Sequence, residues 1–241
     1  MASRRRRSPQ VSRPLDGALT AVDPAVEWAH ALGGPVAGLD EAGRGPLAGP
    51  VVAACVVLPE PLPCSLRGLD DSKKLDQAAR EGLYPAIERD AVAFGVAIVE
   101  AERIDDENIL RASLAAMAEA LLACEARLGR PLLGALVDGN QRAPLPARVA
   151  QRTLVGGDAL SRPIMAASIV AKVTRDRRMI AEDARWPAYG FAGHKGYGTP
   201  RHLKALVEHG PCPLHRRSFA PVRNALLARG VAVEDEDGQR R

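Results

Sequence analysis

Gly38-Leu39-Asp40-Glu41-Ala42-Gly43-Arg44-Gly45 sets two adjacent carboxylates directly ahead of an arginine held between glycines. The apolar run Pro35 to Leu39 leads into it, and Pro50 to Leu58, built of Val, Ala and Cys, follows as a second strand. The octet therefore reads as a strand end and a tight connection. Side chains alternate along a strand, so Asp40 and Glu41 start on opposite faces unless the backbone turns between them. Two neighbouring acids repel and lose hydration when buried. A divalent cation offsets that cost, and hard oxygen ligands suit Mg²⁺ or Mn²⁺. The glycines flanking Arg44 let backbone N–H groups approach a ligand closely. A solvated turn, where Asp, Glu and Gly are common, is the competing reading.

Outward from this stretch, Ala93 to Glu100 reads as a third strand, and Leu132 to Val137 as a buried strand delivering Asp138-Gly139-Asn140 at its carboxyl end. Arg148 to Val155 is a further strand ending in Gly156-Gly157-Asp158. Ligand sites of open α/β sheets lie at such strand ends. Each acid-glycine element alone is an ordinary turn; their recurrence at successive strand ends argues for a site. Helical patterns cover Asp76 to Ile87, Asp105 to Leu128, Met165 to Ala184 and Arg201 to His209, with a short last helix ending near Leu227. The long second helix ends at Gly129 and Pro131. Ala166-Ala167-Ser168 in the third carries side chains small enough to lie close against a sheet. Asp176, among Arg175, Arg177 and Arg178, is expected to pair with an arginine rather than to join the site.

At 241 residues with 46% hydrophobic content, the chain can form one main domain with an appendage. Aromatics make up only 3%, which excludes a base-stacking platform for single strands. The formal net charge of +4 is misleading, because Arg4, Arg5, Arg6, Arg7 and Arg13 supply five positive charges ahead of the body. The remainder is close to neutral, so a polyanion must meet a local patch. One lies between His194 and Arg223, where Lys195, Arg201, Lys204, Arg216, Arg217 and Arg223 face the single acid Glu208. Four of the five histidines fall there too. This asymmetry is an electrostatic footprint for phosphate.

Cys55, Cys64, Cys124 and Cys212 show neither zinc-ligand spacing nor a disulfide framework, and free thiols fit a reducing cytoplasm. No apolar run reaches membrane-span length. Residues 1–33 read as a largely disordered, Arg-rich extension, with a short helix from Val26 to Leu32 leading into the domain. Residues 34–227 form the body, including a basic helical segment from about 195, and residues 228–241 form a charged tail.

Asp40, Glu41, Asp138 and Asp158 thus come from separate segments to strand ends of one α/β sheet. Four carboxylates suffice for two divalent ions about 4 Å apart, the arrangement that clamps attacking and leaving oxygens in phosphoryl transfer. Gly43-Arg44-Gly45 can test a sugar, since backbone groups can both donate to and accept from a 2′-OH. The basic carboxyl-terminal segment would grip a nucleic-acid backbone. The residues taken together describe a metal-dependent phosphodiesterase acting on nucleic acid.

The chain resembles the ribonuclease HII family. Gly38 to Pro50, Asp71 to Leu75, Asp138 to Asn140, Gly157-Asp158, Ala166 to Arg177, Tyr189 to Tyr197 and His209 to Val222 match its motifs in order, and the likeness runs from about residue 35 to 227. The resemblance implies a ribonuclease H-like fold: an α/β protein with a central mixed five-stranded sheet flanked by helices and a small helical carboxyl-terminal segment. It implies Mg²⁺- or Mn²⁺-dependent cleavage of RNA in RNA·DNA hybrids and 5′ of single ribonucleotides embedded in duplex DNA, leaving a 5′-phosphate. The family's metal-binding acids fall on Asp40, Glu41, Asp138 and Asp158. Its 2′-OH-reading element falls on Gly43, Arg44 and Gly45, and its junction-sensing tyrosine on Tyr197. Lys73, Lys172, Lys195, Arg216, Arg217 and Ser218 are the further expected substrate contacts. The expected enzyme is a monomer, and the sequence does not decide whether it contacts a sliding clamp. A non-catalytic hybrid-binding module on the same fold is the alternative, and the intact acids argue against it. An integrase or resolvase is another, and it has no need of a ribose-reading element.

Overall fold

The computed structural model describes residues 22–70 and 74–231. Five strands, β1 (Val36–Ala42), β2 (Val51–Val57), β3 (Ala93–Val99), β4 (Gly134–Asp138) and β5 (Ala150–Leu154), form one sheet in the order β3-β2-β1-β4-β5. β2 runs antiparallel to both β1 and β3, whereas β1, β4 and β5 are mutually parallel. The expected mixed sheet is therefore present. The three parallel strands bring their carboxyl ends, and the acids there, to one edge.

The two faces follow from the alternation of side chains along β2. Val51, Ala53, Cys55 and Val57 join the core beneath α4 (Ile109–Leu128), while Val52, Ala54 and Val56 join that beneath α5 (Arg162–Arg185) and α2 (Gln77–Asp90). Both helices approach the sheet at glycine. A Cβ on Gly38 would lie 2.2 Å from the carbonyl carbon of Pro163 at the start of α5, and one on Gly95 would lie 2.3 Å from the Ala120 carbonyl oxygen of α4. Ala166 and Ala167 of α5 are fully buried, as expected for a helix close to its sheet.

The sequence pattern misses one break. The helix expected over Asp105 to Leu128 is two, α3 (Ala101–Glu107) and α4, separated by Asn108 at φ 65°. The Asn108 side chain accepts hydrogen bonds from the N–H groups of Leu110 and Arg111, both at 3.1 Å, and so caps α4.

The amino-terminal helix α1 (Pro24–Leu32) belongs to the folded body, which therefore begins ahead of residue 34. Its Trp28 is buried with Val36, Leu136 and Ile164. Asp23 caps it by accepting from Ala25 N–H at 2.9 Å, and its other carboxylate oxygen accepts from Arg162 N–H at 2.7 Å in the first turn of α5. The Arg-rich stretch ahead of residue 22 lies outside the described residues.

Beyond α5, α6 (Phe191–His194), α7 (Pro200–His209) and α8 (Ala220–Leu227) make the small carboxyl-terminal helical unit. Its core includes Tyr189 and Phe191, whose rings stack at 5.3 Å.

Candidate active site

β1 and β4 are paired with Leu39 beside Val137, so the next residues along each strand, Asp40 and Asp138, emerge together. Asp158 follows β5 in a single 3₁₀ turn. Asp40, Glu41, Asp138 and Asp158 all line one cavity of about 530 Å³, shared with Gly43, Lys172 and Tyr197. Asp40 is buried and is held by its own neighbour, since the Glu41 N–H donates to Asp40 Oδ1 at 2.7 Å. The Ser168 hydroxyl of α5 also hydrogen-bonds to it. Asp138 Oδ1 accepts from Gly157 N–H at 2.7 Å, which links the ends of β4 and β5.

Burial pushes the Asp40 carboxyl well above the usual carboxylate range, and Glu41 and Asp138 push it further. Burial also raises Glu41 and Asp138; Arg44 opposes the rise at Glu41, its guanidinium lying 3.4 Å from Glu41 Oε1. These acids raise one another with Arg44 opposing at Glu41, and their hard oxygens fit a divalent cation. Among the described residues no three His, Cys, Asp or Glu groups converge into a ready-made metal cage.

The other expected contacts divide. Gly43 is buried and Arg44 and Gly45 are exposed, with the Tyr197 ring near Gly45: a Cβ there would lie 3.7 Å from Tyr197 Cε1. Lys172 reaches the cavity but pairs with Asp176 at 2.7 Å, so Asp176 has a lysine partner rather than the arginine expected. Lys195 Nζ donates to the Ala192 carbonyl. Lys73 lies outside the described residues.

Arg216 and Ser218 depart from their expected roles. Arg216 is fully buried and donates to main-chain carbonyls, which removes it from any phosphate. The Ser218 hydroxyl donates to Asp105 Oδ1 at 2.5 Å, and the N–H groups of Arg217 and Ser218 donate to the same carboxylate. Arg217 stays exposed, and so does Ser218 despite its bonds to Asp105. Sequence reasoning gave no site role to Ser168 and Arg80, which line the cavity together with Arg175. Ser168 had a signal, being a polar residue one helical turn before Lys172 on an otherwise apolar stretch.

His202 and His215 do not belong to a phosphate patch either. Cys212 N–H donates to His215 Nδ1 at 3.0 Å, which assigns the ring proton to Nε2; that proton goes to His202 Nε2 at 3.0 Å, and His202 Nδ1–H goes to the Tyr197 carbonyl at 2.9 Å. Both rings are buried and neutral. Burial, with a smaller push from His202, lowers His215 to about 4. The folded value lies below the unfolded one, so this stabilisation is complete above about pH 6.5 and is lost as pH falls toward 4. We expect His215→Gln to remove on the order of 3 kcal/mol of the acid-induced loss of stability, read from urea unfolding at pH 7 and pH 4.5. An unchanged difference between those pH values would exclude the neutral pair as its source.

A mixed five-stranded sheet with acids at the ends of its parallel strands and helices on both faces is the ribonuclease H-like fold. A crystal structure of ribonuclease H2 from Pyrococcus horikoshii shares it with a TM-score of 0.69 and 28% identity, over 80% of this chain and 97% of that one. The ribonuclease HII of Archaeoglobus fulgidus, solved in complex with PCNA, matches with a TM-score of 0.60 and 28% identity, over 78% of this chain and 95% of that one. Ribonuclease HII of Burkholderia thailandensis is 53% identical over 214 residues, which is 89% of this chain and 96% of that protein. The ribonuclease HII family model matches residues 37–222, and the chain belongs to that family. It is accordingly a ribonuclease H, a hydrolytic endoribonuclease.

Proposed function

We propose that this ribonuclease H cuts the RNA strand of RNA·DNA hybrids and also nicks duplex DNA on the 5′ side of a single embedded ribonucleotide, leaving 5′-phosphate and 3′-OH ends. The observation that supports this reading is the meeting, in one cavity, of four carboxylates with Gly43 and Tyr197. Asp40, Glu41, Asp138 and Asp158 are the residues that would hold two Mg²⁺ or Mn²⁺ ions. Such a pair, when bound, supplies an activated water and charge stabilisation for the leaving 3′ oxygen.

The protein's own groups orient and select. Ser168 and the Glu41 N–H fix one oxygen-bearing arm of the site by holding Asp40, and Gly157 N–H fixes Asp138. Gly43-Arg44-Gly45 reads the ribose, where a 2′-OH meets main-chain groups that a deoxyribose leaves unanswered. The Tyr197 ring, beside Gly45, stacks at the RNA-to-DNA junction. The exposed Arg217 and the cavity's Lys172 meet backbone phosphates. Removal of misincorporated ribonucleotides and of primer RNA in the cytoplasm fits this selectivity. No described helix is long and apolar enough to cross a membrane.

The test is cleavage of an end-labelled DNA duplex carrying one ribonucleotide, with Mg²⁺, with Mn²⁺ and with chelator, mapped to the nucleotide. A metal-dependent nick on the 5′ side of the ribonucleotide is the expected result. Cleavage of long hybrids without that nick would remove the junction role from Tyr197, and inactivity on both substrates would favour a binding module.

A further inference from the structure

We infer that Arg216 is a positioning residue for ribose recognition: from within the protein it fixes the peptide planes of Gly43-Arg44-Gly45 so that two N–H groups face the substrate. This rests on the reading that those residues inspect the 2′-OH.

The segment Gly43 to Pro50 turns its carbonyls inward onto two buried guanidinium groups. Arg216 donates from Nη2 to the Gly43 carbonyl at 2.6 Å, from Nη1 to that of Arg44 at 2.9 Å, and from Nε and Nη2 to that of Gly49 at 3.0 and 2.9 Å. Arg175 takes the carbonyls of Pro50 at 2.9 Å and Ala48 at 3.1 Å. Both side chains are essentially sealed from solvent, and among the described residues neither has a carboxylate within ion-pair distance. Five carbonyl dipoles take the place of a counter-ion.

The consequence follows from peptide geometry. In a trans peptide the N–H points opposite to the C=O, and the peptides of this loop are trans. Pinning the Gly43 carbonyl inward turns the Arg44 N–H outward, and pinning the Arg44 carbonyl does the same for the Gly45 N–H. Neither N–H meets an acceptor among the described residues, whereas the loop's Leu47 and Gly49 N–H groups are used, on the Gly196 and Leu214 carbonyls. Arg44 and Gly45 are exposed beside Tyr197. Space enforces the arrangement at Gly43, which sits at φ 101° and where a Cβ would fall 2.1 Å from Arg175 Nε. A lysine at 216 keeps the charge, but its single ammonium cannot reproduce the planar fork that spans three carbonyls.

The test measures affinity in the Asp40→Asn background, so that the duplex survives, for two duplexes of equal length: all-DNA, and the same sequence with one ribonucleotide. Adding Arg216→Lys is expected to reduce the preference for the ribonucleotide duplex about tenfold, the worth of one lost hydrogen bond, while all-DNA affinity changes less than twofold. An unchanged preference, or a parallel loss on both duplexes, would overturn the proposal. If Asp40→Asn alone shows no preference, the ribose-reading assignment itself is wrong, a different failure. Should the lysine variant not fold, amide exchange in the Asp40→Asn protein decides: Arg44 and Gly45 N–H are expected to slow at least tenfold with the ribonucleotide duplex only. Equal slowing with both duplexes would refute the assignment.

Discussion

Asp40→Asn is expected to lower cleavage by at least about a thousandfold while hybrid binding persists, and at the same time to make the metal-free protein more stable at neutral pH. The first effect follows from removing a charged oxygen from a site whose chemistry depends on divalent cations. The second follows from the electrostatics of the cavity. Burial, Glu41 and Asp138 hold the Asp40 carboxyl above its unfolded value, so the folded form binds more protons across that interval. Stability linked to this group is present at low pH and is lost as pH rises through its folded value. The amide carries no such dependence. Melting temperatures in chelator should therefore favour the variant at pH 7 and converge with the parent below about pH 4, where the carboxyl is protonated in both states. Retained cleavage would end the assignment of Asp40; an equal melting difference at both pH values would show that its ionisation is not the cause.

Gly38→Ala should cost about 3 kcal/mol or more in urea unfolding. The new methyl would lie 2.2 Å from the Pro163 carbonyl carbon and 2.3 Å from Ile164 N, both main-chain atoms of the α5 start, so no side-chain rotation relieves it. Gly34→Ala is the matched control. Its methyl would meet only Leu133 Cδ1 at 3.8 Å, and a change within about 0.5 kcal/mol is expected there. Similar costs at both positions would show that the close approach of α5 to β1 does not limit stability.

What the sequence revealed and what it concealed divide along a physical line. Asp138 and Asp158 were legible because each ends a strand-like run beside glycine, and Asp40 because it is paired with Glu41 ahead of Gly43-Arg44-Gly45; parallel strands then gather their carboxyl ends. The family likeness then supplied the expectation of a mixed five-stranded sheet and the junction role expected of Tyr197. Arg216, His202 and His215 were misleading for the opposite reason. An arginine carries the same charge whether it faces a phosphate in solution or carbonyls 167 and 173 residues away in sequence. Nothing in the neighbouring residues distinguishes the two, since burial is decided by distant segments. The His202–His215 pair likewise reads as positive potential in sequence and proves to be a neutral, buried relay to the Tyr197 carbonyl. Asn108 hid a helix break because Ala, Leu and Met continue the helical spacing on its far side.

Asp23 joins the beginning of the folded body to the helix that completes the cavity. Its two carboxylate oxygens fasten the first turns of α1 and α5 at once, and Ser168 and Lys172 lie within three turns of that second fastening. A load applied at the amino terminus, by a fused domain or by tethering to a surface, thus has a direct mechanical route through one side chain to the helix that holds Asp40.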